Sequence, residues 1–322
     1  AAFARGSTKA PVPRPALRKL IGFKVYYRDL LRRHAELVRV VRLSYVANGG
    51  RRRNAYLVLP RWYGTRVHPA IPLVISPHGR GEPALGNVRL WGGLPAFGPF
   101  AVINPEGQGR RLVLDSWGWR RQIADLARLP GELEHALPWL HVDRRRLYAV
   151  GSSMGGQETL LLVALYPRMF AGAIAMDSAT NMKKRYRDFR YLRDGSYLRR
   201  LARLEIGGGP VTRPHAYALR SPVEYARRLA FANVPLHIWW STHDQIVIDQ
   251  RQESGLLFRL IRQINPHAPV SEYVGTWAHS REMDPLGKLP LALVELRLIT
   301  LDEPLPAIVR RASRLAASRN RR

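Results

Sequence analysis

Residues 147–156 read Leu-Tyr-Ala-Val-Gly-Ser-Ser-Met-Gly-Gly, and a helical pattern over 157–166 follows without a break. An apolar run that passes straight into a helix through glycines admits few folds. The run is short, ends in glycine and reads as a buried strand. Gly151 and Gly155, two positions either side of Ser153, let strand and helix approach with no loop between them, and Gly156 adds room. A serine at such a bend is forced into a strained backbone conformation with its side chain projecting from the turn.

The rest of the chain repeats this rhythm. Nearly continuous apolar runs at 71–76, 100–104, 172–176, 235–240 and 270–274 suit strands buried on both faces. Helical patterns lie at 119–129, 157–166, 222–231, 248–264 and 289–299. Strand-like segments 35–47 and 54–59, joined across Gly49-Gly50, form an antiparallel hairpin ahead of them. The alternation predicts an α/β fold: a mostly parallel, doubly wound sheet with sites at the carboxyl ends of its strands. Residues 179–221 interrupt it with a polar, basic stretch containing Gly207-Gly208-Gly209, read as a flexible lid inserted in one domain over 16–305. Residues 1–15 read as a loose arm and 306–322 as a basic tail.

Composition then narrows the chemistry. The absence of cysteine excludes disulfides, a thiolate nucleophile and zinc–thiolate or iron–sulfur sites. No metal-ligand spacing, phosphate loop or dinucleotide fingerprint occurs, so neither a metal nor a cofactor is expected. No apolar run reaches the roughly 20 residues of a membrane helix, and no membrane partner is expected. The net charge is +28, with only six lysines among 52 basic residues. Such a surface attracts anionic polymers non-specifically. The arginines are scattered and no nucleic-acid-binding motif accompanies them, so they read as solvated surface of the kind used by GC-rich or heat-adapted organisms, and no specific nucleic acid is expected. The start at Ala1-Ala2 suits a mature secreted form as well as a trimmed one, and a secreted placement is expected ahead of a cytoplasmic one.

Ser153 is the candidate nucleophile, because choosing Ser152 breaks the glycine spacing. A serine hydroxyl needs a base, and the base needs an orienting carboxylate. Asp244 follows the apolar run 235–240 and His279 follows 270–274, each at a strand's carboxyl end and in the order serine, acid, histidine. Asp177, after the strand that follows the bend, competes for the acid position. The developing oxyanion needs two N–H donors. One is the Met154 N–H; the other comes from Pro77-His78-Gly79-Arg80-Gly81, with Arg80 ahead of Gly79. Trp277, two residues before His279, is expected to wall the substrate site together with Gly79. His215 in the lid is a further candidate neighbour of substrate.

These residues resemble an α/β-hydrolase of the prolyl-oligopeptidase-like and esterase/depolymerase branch over about residues 71–299. The likeness is carried by Pro77-His78-Gly79, by Gly151-Ser152-Ser153-Met154-Gly155-Gly156, by the Asp244 loop, by His279, and by Arg220-Ser221-Pro222-Val223-Glu224-Tyr225-Ala226, which is similar to the Ser-Pro helix of that branch. The resemblance implies Ser153, Asp244 and His279 as a catalytic triad. It leaves esters and peptides open as substrates. Ester cleavage through an acyl-enzyme is the first expectation, with aryl and short-chain esters and aromatic polyesters to be tried. A small peptidase or aminopeptidase is the alternative, and an anionic-polymer binder on a silent hydrolase fold is the alternative of another class.

Overall fold

The computed structural model describes residues 38–92, 94–97, 99–281, 292, 293 and 295–298. The expected arm 1–15, the tail 306–322 and residues 289–291, 294 and 299 of the helical pattern 289–299 lie outside the described residues.

Eight strands form one sheet: β1 (Val38–Val46), β2 (Arg52–Pro60), β3 (Ile71–Ile75), β4 (Ala101–Pro105), β5 (Val142–Ser152), β6 (Gly172–Met176), β7 (Leu236–Ser241) and β8 (Val270–Gly275). Their order is β1-β2-β4-β3-β5-β6-β7-β8. The β1–β2 hairpin and the β2–β4 pair are antiparallel; every other pairing is parallel. The order reverses at β3, so the crevice beyond the carboxyl ends of β3 and β5 is where an open α/β sheet receives ligand. The loop Pro77–Gly81 and the bend at Ser153 stand on either side of it.

Period two explains why the strand sequences are apolar throughout. Leu73 and Ile75 join one core cluster, with Leu57, Ile103 and Ile238, while Val74 points to the other face among Val58, Val102 and Val150. Both faces of the central strands β3, β4 and β6 are therefore dry. Helices α2 (Arg120–Ala136), α3 (Met154–Leu165) and α7 (Ser254–Ile264) lend side chains to the first cluster. Leu293, Leu296 and Leu298 lie in the second.

Several boundaries differ from expectation for identifiable reasons. β5 begins at Val142 because its polar first half, including Arg144 and Arg145, has an exposed side. The pattern 248–264 yields a helix only from Ser254, since the residues before it wrap round the Asp244 carboxylate. The pattern 222–231 splits into a 3₁₀ turn, Pro222–Tyr225, and a short helix, Ala226–Ala230. Helix α1 (Ala84–Trp91) has no strong sequence signal; Asn87 and Trp91 tie it to Ser76 at the end of β3.

Residues 179–221 form a helical cap of α4 (Met182–Asp188), α5 (Gly195–Ile206) and α6 (Pro214–Ala218). Met182, Phe189, Leu198, Ala202, Ile206 and Tyr217 pack there with Trp117 and Met154 from the body. The cap is also fastened by charge. Buried Glu205 accepts hydrogen bonds from the backbone N–H groups of Arg110, Arg111 and Leu112, and Arg220 lies 3.5 Å from it. Gly207–Gly209, expected as a source of flexibility, carries defined contacts. Gly207 stops α5 in the left-handed conformation (φ 94°), and the carbonyls of Gly207 and Gly208 accept from Arg213 and Tyr217.

Candidate active site

The turn between β5 and α3 is built by close backbone approach. A Cβ on Gly151 would lie 2.4 Å from the Gly155 carbonyl oxygen, and one on Gly155 would lie 2.2 Å from that of Pro77. Neither position admits a side chain. Ser153 sits at φ 59° and ψ −120°, a conformation that costs a non-glycine residue roughly 1–3 kcal/mol. Its N–H donates to the Met176 carbonyl at 2.8 Å, which holds the turn against β6. The hydroxyl is thereby pushed into the crevice.

Two loops deliver its partners. His279 Nε2 lies 2.9 Å from Ser153 Oγ, and His279 Nδ1 lies 2.8 Å from Asp244 Oδ2. Asp244 Oδ1 accepts from the N–H groups of Ile246 and Val247, and Oδ2 accepts from Gln250 Nε2. Burial disfavours ionisation of Asp244, but the hydrogen bonds from His279, Gln250 and the Ile246 N–H outweigh it and hold the carboxyl below the usual range. An ionised acceptor at Nδ1 fixes the tautomer that leaves Nε2 free to receive the serine proton.

The structure also separates the two candidate acids. Asp177 Oδ1 accepts from the Ser241 N–H at 3.0 Å, and its Oδ2 accepts from Trp277 Nε1 at 2.6 Å. It braces the loop that carries His279, while Asp244 touches the imidazole. Asp177, Asp244 and His279 lie close enough together to suggest a cation site, yet the carboxylate oxygens already accept from N–H donors and the imidazole is held between Asp244 and Ser153. Ser152 Oγ is buried without a hydrogen-bond partner, and Ser153, not Ser152, meets His279.

Across the crevice, His78 is buried between two loops. Its Nε2 accepts from the Gly107 N–H at 2.9 Å, so Nδ1 carries the proton and donates to the Gly79 carbonyl at 2.6 Å. That carbonyl belongs to the peptide whose other end is the Arg80 N–H. Burial keeps the His78 pKa below the ordinary histidine value, and the ring stays neutral. Gly79, Arg80, Ser153, Met154 and His279 line one cavity of about 230 Å³. That is below the roughly 300–1,000 Å³ of sites for drug-sized ligands.

A model of the prolyl oligopeptidase family matches residues 133–263. The acylaminoacyl peptidase of Pyrococcus horikoshii superposes with a TM-score of 0.62 at 15% identity, over 87% of this chain and 45% of that one. The chain has the α/β-hydrolase fold, and residues 133–263 are similar to the prolyl oligopeptidase family. A ferulic acid esterase superposes with a TM-score of 0.58 at 16% identity, over 81% of this chain and 99% of that one. For an S-formylglutathione hydrolase from Staphylococcus aureus the figures are 0.55, 14%, 81% and 99%. At such identities the likeness is one of fold. No curated protein matches the sequence. The chain spans less than half the length of the peptidase.

The cavity walls correct two expectations. Trp277 is not a wall of the cavity. Its ring stacks on Tyr273 at 5.4 Å inside the second core cluster, and a Cβ on Gly275 would strike it at 1.8 Å. The tryptophan is spent on fixing the loop: its carbonyl accepts from Ser241 Oγ and its Nε1 is taken by Asp177. His215 is exposed on α6 and does not line the cavity.

The aromatic wall is Trp117, at φ 44°, with its N–H directed at Met154 Sδ at 3.4 Å. Ala179, Met182, Ile246 and Val247 continue the apolar lining, and Arg185 and Glu82 add charge. None of these was legible as a site residue. Trp117 adjoins Gly118, a turn signal that could have marked it, but the cap residues reach the cavity only through tertiary packing.

Proposed function

We propose that the protein is a serine hydrolase that cleaves carboxylic esters through an acyl-enzyme on Ser153. The observation that carries this reading is the line Asp244–His279–Ser153, with hydrogen-bond contacts of 2.8 and 2.9 Å, ending at a strained serine in a cavity. Ser153 Oγ attacks the ester carbonyl carbon as its proton passes to His279 Nε2. Cleavage of the C–O bond returns that proton to the departing alcohol and leaves the acyl group on Oγ. Water then gives a proton to Nε2 as it attacks the acyl carbon, and Oγ recovers the proton when the acid leaves. The N–H groups of Met154, at the start of α3, and Arg80 are the donors for the oxyanion in both steps. Asp244 orients the imidazole and is a positioning residue.

Matches over nearly the whole length of a ferulic acid esterase and a formylglutathione hydrolase support ester substrates. The family-model match at 133–263 supports a second reading, a small peptidase. Aryl and short-chain acyl esters suit the small cavity beside Trp117; aromatic polyesters are an extension of the same proposal, tested by release of soluble acids from a film. A panel of p-nitrophenyl esters against aminoacyl-arylamides separates the two readings. Amide turnover above ester turnover replaces the esterase by the peptidase. Failure of a serine-reactive phosphonate to label Ser153 overturns both.

A further inference from the structure

One residue of the cavity wall has no part in that mechanism. Arg185 projects from α4 into the cavity that holds Ser153 and His279, and it is only 5% exposed. Its guanidinium lies over the Phe189 ring, 4.8 Å from the centroid, and Nη1 donates to the Ile246 carbonyl. Among the described residues it makes no other hydrogen bond, and no carboxylate lies within 4.0 Å of it. The acids in its neighbourhood are engaged elsewhere. Asp188 pairs with Lys184; Glu253 takes the N–H groups of Thr180 and Asn181; Asp244 holds His279. Burial lowers the Arg185 pKa to about 10, which still leaves it charged at neutral pH.

A buried cation without an ion partner is costly unless something supplies one. Here the cation opens onto the site where substrate binds. Arginine offers a planar fork that pairs bidentately with carboxylate, and desolvation strengthens such a pair. Arg80, the other cation of the wall, is partly exposed and acts on Asp115, whose charge it stabilises. The cap and the loop after Asp244 add only apolar lining besides Arg185, namely Met182, Ala179, Ile246 and Val247, and the carboxylate of the lining, Glu82, comes from the loop after β3.

We infer that Arg185 is a carboxylate anchor, and that the preferred substrates are small esters bearing a free carboxylate besides the scissile bond. This rests on the esterase reading above. The anchor holds the anionic end of the substrate while Trp117 and the apolar wall receive its body.

The test compares each charged ester with a neutral isostere. Methyl 4-carboxybenzoate against methyl 4-carbamoylbenzoate places the carboxylate on the acyl side. 4-Acetoxybenzoate against 4-acetoxybenzamide places it on the leaving group. In the unaltered enzyme, kcat/KM is expected to favour the charged member of at least one pair by about tenfold or more, the range of a hydrogen-bonded charge. The preference should lie mainly in KM. In Arg185→Gln that ratio should collapse toward one, and in Arg185→Lys it should fall between. A ratio near one in both pairs for the unaltered enzyme, with the neutral esters turned over, overturns the anchor and leaves the esterase standing. No turnover of any of the four, with aminoacyl-arylamides cleaved, sinks the esterase reading first. If Arg185→Gln lowers charged and neutral members equally, the arginine serves the Ile246 loop and the anchor is wrong.

Discussion

On the floor of the cavity, Gly151, Gly155 and Gly156 let backbone rest on backbone, whereas the cap above it is fastened by buried charges such as Glu205 and Arg220. The two regions face one another across the same small space. The floor is rigid because its spacing is set by main-chain atoms that cannot titrate or change rotamer. The cap keeps its place through side chains whose energy depends on ionisation and on each partner being present. Ser153 stands on the first, and Arg185, the proposed carboxylate anchor, on the second.

The sharpest way to break this comparison is to disable the floor chemically without moving it. Ser153→Ala and His279→Ala should each lower kcat by about 10⁴–10⁶-fold, because the two act as one unit. Both variants should keep native circular dichroism and melting temperature. Retained turnover in Ser153→Ala would remove the floor from the mechanism.

Next come the two acids, which differ in what they touch. Asp244→Asn should cost on the order of 10³–10⁴-fold in kcat by favouring the wrong imidazole tautomer, and should lower the melting temperature as well, since Oδ2 takes Gln250 and His279. Asp177→Asn should also lower the melting temperature, since its two oxygens hold Ser241 and Trp277, but with a much smaller kinetic loss. Parallel kinetics and calorimetry on both variants check the assignment; interchanged results would reverse it.

The cap can be broken by removing one charge. Glu205→Ala strands three backbone N–H groups and buried Arg220, and should destabilise by about 3–5 kcal/mol in urea unfolding. Loss of the small cap cluster alone, with body strands still protected in hydrogen exchange, would show that the cap opens as its own unit.

The last test is a pH dependence. Burial raises the Glu158 pKa from 4.5 to about 8, partly offset by Ser116 and Gln122, and raises that of Glu253 to about 7 against the pull of Lys184. A carboxyl with a raised folded-state pKa binds more protons folded than unfolded. Its contribution is complete below about pH 4.5 and is lost as pH rises through about 7–8. Melting temperature should therefore decline over that interval, and Glu158→Gln should flatten the decline.

The bend at Ser153 was legible because its constraint is local. Gly151, Ser153 and Gly155 are neighbours in the chain, and a strand that turns directly into a helix needs small residues there whatever surrounds it. The runs of β3, β4 and β6 were legible because both sheet faces are covered there, so period two vanishes into continuous apolar sequence. Trp277 shows the opposite case. Its closeness to His279 in sequence suggested a substrate wall, yet direction, not distance, decides what a side chain touches, and Gly275 opened a place for the ring in the core.

By itself, then, the sequence determined the doubly wound sheet, the strained serine and the strand ends on which Asp244 and His279 stand, because each follows from residues close together in the chain. Only the tertiary structure decided that Asp244 rather than Asp177 meets the imidazole, that Trp117 and Arg185 line the cavity, and that the glycine run of the cap is a helix stop. Those outcomes depend on how distant segments pack and on which buried charge finds which partner. A linear pattern carries the need for a partner but not its address.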